Sequence, residues 1–175
     1  MQLRVPFYWQ INNYACGPAV LQMLLKFYGI SRSQKNLMKL AKTNKRVGTT
    51  RRNLVLAFKK FDLNTTVVFP SELKTIQEYL KKKMPVIVSY LELDSDQEHF
   101  SVVIGMTKKD LVFQDPWLGE KYQIDRKNFL LRWHNSSRSK KYRGWLLVVS
   151  QTQKPGILKR IPLVIRDLVR LKRKN

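Results

Sequence analysis

The first 61 residues contain no acidic side chain, and acids are scarce throughout: 12 Asp+Glu stand against 34 Lys+Arg, for a formal net charge of +22. Cysteine occurs once and histidine twice. A single thiol excludes an internal disulfide framework and a cysteine-built structural zinc site within the chain. No stretch approaches the roughly 18 apolar residues that span a bilayer, and the opening MQLRVPFYWQINN lacks the apolar core of a secretory signal. These absences point to a protein of a reducing compartment, expected in the cytoplasm or peripherally at a membrane.

Apolar residues make up 43% of the 175 positions, with four Trp, seven Tyr and eight Phe. Such a composition can offset the entropy of ordering and excludes a disordered chain. The length suits one domain with a real core. Charge is segregated: 1–61 holds 12 basic residues and no acid, 62–125 holds 7 basic and 11 acidic, and 126–175 holds 15 basic and 1 acidic. Basic ends favour polyanionic neighbours, namely nucleic acid, anionic lipid or an acidic protein, without naming one.

Helical spacing of Val20, Leu21, Leu24, Leu25 and Tyr28 predicts a buried helix over 16–28, with Pro18 in its first turn and Gly29 at its end. Ser31 and Gln34 have capping-box spacing ahead of Leu37, Leu40 and Ala41. A third helix is expected from Thr50 through Leu54, Ala57, Phe58 and Phe61, and a fourth capped by Ser71, with Leu73, Ile76 and Leu80 inward. The texture then turns to strands at 85–91, 99–106, 111–114 and 122–124. A short helix at 128–133 and a strand at 145–149 complete the pattern, in which helices precede an antiparallel sheet: an α+β fold. An exposed loop is expected at 135–143. A basic amphipathic tail over 154–175 follows a domain of residues 1–153 and fits an anionic membrane surface or an acidic partner.

Cys16 stands at the start of the first helix, where unpaired N–H groups and the helix dipole favour an anion and aim an amide at a developing oxyanion. A small buried hydrophobe is the alternative role for a lone cysteine. Gln10, six residues earlier, offers a neutral side-chain donor, or else is a solvated loop residue. Of the two histidines, His99 opens a strand and shares a face with Ser101 and Val103, whereas His134 follows Trp133 at the edge of the basic loop. His99 is therefore the candidate base. Asp115 ends the next strand, where an antiparallel neighbour brings it beside His99; Asp-Pro is also a common turn opener, and carboxylates of the 94–98 loop compete as partners.

Gln10, Cys16-Gly17-Pro18-Ala19, Tyr28-Gly29, His99-Phe100-Ser101-Val102-Val103 and Asp115-Pro116-Trp117-Leu118-Gly119 together resemble the bacteriocin-processing double-glycine peptidases, which are papain-like cysteine peptidases. The resemblance covers most of residues 8–133, including Phe129 and Trp133. It implies a papain-like fold, with Cys16 as nucleophile, His99 as general acid and base, Asp115 as orienting residue and Gln10 as oxyanion-hole donor. It also implies a peptide or protein substrate, cleaved at a peptide or isopeptide bond, and no metal or organic cofactor. Ala15 departs from the family, many of whose members carry an acid before the cysteine. The competing expectation is a catalytically idle papain-like module whose basic ends dock on membrane, nucleic acid or a peptide.

Overall fold

The computed structural model describes residues 2–92, 95–134 and 143–152. The elements run α1 (Cys16–Phe27), α2 (Gln34–Leu40), α3 (Arg51–Lys59), β1 (Leu63–Val68), α4 (Leu73–Lys81), β2 (Val86–Leu91), β3 (Glu98–Met106), β4 (Asp110–Asp115), β5 (Gly119–Asp125), α5 (Arg126–Arg132) and β6 (Leu146–Gln151). The strands form one sheet in the order β1-β6-β2-β3-β4-β5, with every neighbouring pair antiparallel. The expected α+β architecture is thus observed. The 154–175 tail and all of the expected 135–143 loop except Arg143 lie outside the described residues.

Alternation along the strands divides the core in two. Phe100, Val102 and Ile104 of β3 pack with Ile87, Leu147 and Val149 under α1 and α3, against Leu21, Leu24, Leu54 and Phe58. Val103, Val88, Phe113 and Leu146 face the other way, against Ile76 and Leu80 of α4 and Phe129 of α5. Covering both faces explains why β2, VIVSYL, is apolar apart from the hydroxyls of Ser89 and Tyr90 and is buried at all of its positions. α1 is apolar on nearly every side because it lies between the sheet and its helical neighbours, and eight of its residues are buried.

Three expectations need correction. α2 is capped by Ser33, whose hydroxyl accepts from the Asn36 N–H at 3.4 Å, and not by Ser31. Ser71 does not cap α4, which starts after Glu72 without a side-chain cap; the Ser71 hydroxyl instead donates to the Gly144 carbonyl, tying α4 to the approach to β6. β1 was not expected at all. It is an edge strand buried mainly at Leu63, so the alternation that marks a half-buried strand is weak.

The first turn of α1 lies against the segment that leads into α3. A Cβ on Gly17 would fall 2.5 Å from the Thr49 Cβ, so only glycine permits this approach. Gly17→Ala is expected to destabilise the fold by about 1–3 kcal/mol. Combining it with Thr49→Gly should cost less than the sum of the two single changes in denaturant unfolding, because the second substitution removes the atoms that the new methyl meets.

Candidate active site

Cys16 is placed by a turn that folds back on itself just before α1. The Asn12 carbonyl accepts from the Ala15 N–H at 3.3 Å and the Asn12 side chain accepts from the Tyr14 N–H at 3.1 Å. Helices α2 and α3 are capped by the side chains of Ser33 and Thr50, but α1 has no side-chain cap and no acid in its first turn. Its N-terminal N–H groups therefore lack the side-chain acceptor that the other two helices have, and they favour an anion beside Cys16.

His99 and Asp115 meet because β3 starts where β4 ends. Both are buried, and His99 Nε2 lies 3.1 Å from each oxygen of the Asp115 carboxylate. The carboxylate is held from three further directions. Trp117 and Leu118 donate backbone N–H groups to Oδ1 at 2.9 Å each, and the Tyr90 hydroxyl donates to Oδ2 at 2.9 Å. Tyr90 reaches this position because β2 and β3 pair it directly opposite His99. Burial alone would raise the Asp115 pKa, but the hydrogen bond and charge of His99 and the two N–H groups hold it below the ordinary 3.8. Burial and the neighbouring Asp115 charge push the Tyr90 hydroxyl well above 10, so it stays a donor.

The Cys16 side chain lines the same cleft as the ring. Burial would lower the His99 pKa, yet hydrogen bonds and opposite charge at Asp115 and Cys16 outweigh it and raise the ring from 6.5 to about 10. With Nε2 facing Asp115, Nδ1 is the ring nitrogen turned away from that carboxylate. Glu92 stands there, its Oε1 3.2 Å from Nδ1. Glu92 is thus the acceptor placed at Nδ1.

Gln10 is brought alongside by its backbone, whose N–H donates to the Pro116 carbonyl at 3.0 Å, immediately after Asp115. Its side-chain Nε2 donates to the Asn12 carbonyl at 2.7 Å, while Oε1 is buried without a hydrogen-bond partner among the described residues. Of the four residues singled out in the sequence, His99 and Asp115 are bonded to each other, Cys16 lines the same cleft as His99, and Gln10 is bonded to the turn that follows Asp115. His134 is elsewhere, in an isolated bridge with Arg143 beyond α5.

Three contributors were missed. Gln34, read only as part of a capping box, is buried and donates to the Trp9 carbonyl at 2.7 Å while accepting from the Ile11 N–H at 3.1 Å. It thereby clamps both neighbours of Gln10. Tyr90 and Glu92 were passed over within and just after an apolar strand, where a polar side chain in such a run is the one available signal. Competing carboxylates were expected from the 94–98 loop; the one found at the ring precedes it.

Cys16 and His99 line a cleft of about 900 Å³ between the helical layer and the start of β3. Lys45, Arg46, Arg51 and Arg52 line its helical side, and Glu92, Asp96 and Glu98 its sheet side. The acid-free first third and the acidic middle of the sequence thus face one another. Among the described residues, no cluster of three or more His, Cys, Asp or Glu could hold a metal ion, and no helix is long and apolar enough to cross a membrane.

A cysteine at a helix N-terminus, set across a cleft from a histidine on an antiparallel sheet, defines the papain-like class of cysteine peptidases. The family follows from comparison: the chain belongs to the peptidase C39 family, whose model matches residues 4–153. The peptidase domain of Streptococcus ComA, a bi-functional ABC transporter involved in quorum sensing, superposes with a TM-score of 0.68 at 27% identity, covering 85% of this chain and all of that domain. A double glycine motif protease from an AMS/PCAT transporter, solved in complex with the leader peptide, has a TM-score of 0.69, covering 86% and 94% of the two chains; at 20% identity it supports the fold alone. The Pediococcus acidilactici pediocin PA-1 transport/processing ATP-binding protein PedD is 36% identical over 107 residues, which are 61% of this chain but only 14% of that protein's length. An uncharacterized protein of Methanothermobacter thermautotrophicus is 31% identical over 110 residues, 63% of this chain and 70% of its own length.

The raised His99 value carries a sign for stability. The folded protein holds the ring proton more tightly than the unfolded chain, so this contribution is complete below about 6.5 and is lost as pH rises through about 10. An NMR titration should find the His99 ring protonated at about pH 8, with Asp115→Asn moving its midpoint to lower pH. A ring neutral at that pH in the unaltered chain would contradict this electrostatic account.

Proposed function

We propose that Cys16, His99 and Asp115 form the catalytic triad of this peptidase, that Gln10 donates to the oxyanion, and that the substrate is a polypeptide. The observation that carries the reading is the His99 ring, which bonds the buried Asp115 carboxylate through Nε2 and lines one cleft with Cys16 at the start of α1. The order nucleophile, base, orienting acid is the arrangement that nucleophilic catalysis needs. Similarity to a double glycine motif protease solved with its leader peptide, and to a pediocin PA-1 transport/processing protein, supports a peptide substrate with a small-residue cleavage site.

In the proposed reaction the Cys16 thiolate attacks the scissile carbonyl carbon, forming a C–S bond and placing negative charge on the carbonyl oxygen. That oxygen lies between the Cys16 backbone N–H and the Gln10 amide. Collapse of the intermediate breaks the C–N bond, and the imidazolium of His99 gives its proton to the departing amine. Neutral His99 then takes a proton from water as its oxygen attacks the thioester. The C–S bond breaks, the acid product leaves, and the thiolate–imidazolium pair is restored. Asp115 remains ionised throughout and fixes the ring. Gln10 supports this role because its NH₂ has a second N–H beyond the one given to Asn12, and because Gln34 holds the backbone on either side.

The test is turnover of a synthetic peptide containing a Gly-Gly site, followed by chromatography of the products. Cys16→Ala is expected to lower turnover by about 10⁴-fold or more with an unchanged melting curve. Gln10→Ala should lower kcat by about 10²–10³-fold with little change in KM, the pattern of a group that binds mainly the transition state. Iodoacetamide should alkylate Cys16 near neutral pH much faster than in a His99→Ala chain; equal rates in the two would remove the activated-nucleophile reading.

A further inference from the structure

The seven charged residues at the cleft walls are not equivalent, because the acids are already engaged by the chain itself. Glu92 faces the His99 ring at 3.2 Å, Asp96 meets Arg132 at 2.5 Å, and Glu98 stands 3.8 Å from Arg51. On the opposite wall Lys45, Arg46 and Arg52 are exposed and make no ion pair among the described residues. The field left over in the cleft is therefore positive, although its walls carry both signs.

The cationic wall is also a built feature. Asn44 and Gly48 exchange backbone hydrogen bonds of 3.2 and 2.9 Å, and the Asn44 side chain accepts from the N–H groups of Arg46 and Val47 at 3.0 and 3.2 Å. This tight turn, with Gly48 at φ +63°, presents Lys45 and Arg46 at the cleft. Arg52 lies in the first turn of α3, whose N-terminus adds its dipole on the same side. Arg51 beside it is stacked over Trp145 and bonded to the Ser89 hydroxyl at 3.1 Å, yet its buried Nε–H finds no acceptor among the described residues. A helix N-terminus and three unpaired cations favour the same kind of ligand group, an anion, which in a polypeptide is a carboxylate.

We infer that the cleft selects polypeptides bearing acidic residues beside the scissile bond, read by Lys45, Arg46 and Arg52. The inference rests on the peptidase reading of this cleft and adds a substrate class to it. It also gives local meaning to the chain's positive charge: the acid-free first third supplies the reading wall. A neutral segment would gain nothing from these cations, and a basic one would be repelled by them.

Binding separates this claim from catalysis. The full chain carrying Cys16→Ala is titrated, by fluorescence anisotropy, into two labelled peptides with a common Gly-Gly centre, one flanked by Glu and the other by Gln at the same positions. The Glu peptide is expected to bind about tenfold more tightly at moderate salt, with the advantage shrinking as salt rises. Lys45→Glu, Arg46→Glu and Arg52→Glu combined should abolish the preference. Lys35→Glu, Lys59→Glu and Lys60→Glu, which change net charge equally at residues that do not line the cleft, should leave it intact. Equal binding of the two peptides, binding of neither, or equal loss in both charge-reversed chains would overturn the inference. So would single-stranded DNA displacing the Glu peptide at a lower concentration of charge, since the wall would then read phosphate. If the preference is absent while iodoacetamide still alkylates wild-type Cys16 rapidly, the substrate assignment fails and the peptidase reading stands. If the preference is present but alkylation is ordinary, the cleft reads acids and the peptidase reading fails.

Discussion

A buried carboxylate that must stay charged is the constraint on which the site depends. Asp115 is fully enclosed, and an ion in such a place persists only when its lone pairs are matched. Two backbone N–H groups, a tyrosine hydroxyl and the imidazole supply the match. Each donor comes from a different structural commitment: the turn after β4, the register of β2 on β3, and the start of β3. The ring is consequently fixed in direction and in charge, in the cleft that Cys16 also lines.

The helical layer delivers the sulfur to that ring by close approach. Gly17 allows the first turn of α1 to touch Thr49, and the Thr49 hydroxyl pairs with that of Thr43 at 2.6 Å, linking both ends of the cation-bearing turn to α1. Gln34 ties the 9–11 segment to α2 by two hydrogen bonds, and a third bond joins Gln34 to Gln22 of α1 at 2.9 Å. Gln10 is thus held by the same layer that holds Cys16, while its N–H to Pro116 holds it to the Asp115 turn. A polar network spanning both layers specifies their relative placement more narrowly than apolar packing does.

Much of this was legible because the candidate catalytic groups sit at element ends, and element ends leave marks in sequence. A cysteine before Gly-Pro, a histidine opening a strand and an Asp-Pro closing the next one are local signals, and the family resemblance joined them. The relation of Gln34 to Gln10 was not legible, since it spans two dozen residues and a capping reading accounts for Gln34 equally well. Tyr90 and Glu92 depend on strand register, which alternation alone leaves open in a run buried on both faces. β1 escaped because an edge strand with one-sided burial carries a weak pattern. Both misassigned caps involved serines near a correctly read helix, where several hydroxyls compete and tertiary contacts choose between them.

The charge that dominated the composition is resolved into two parts, a cleft wall with a structural rationale and a basic C-terminal region outside the described residues. The central claim remains covalent catalysis by Cys16 under control of the His99–Asp115 pair. Acid-quenched mass spectrometry of the intact chain during turnover of a slowly hydrolysed peptide ester tests it most directly. The account predicts a mass increase equal to the acyl half of the substrate, mapped to Cys16 alone. Turnover with the acyl group on another residue, or undiminished turnover by the Cys16→Ala chain, would contradict it.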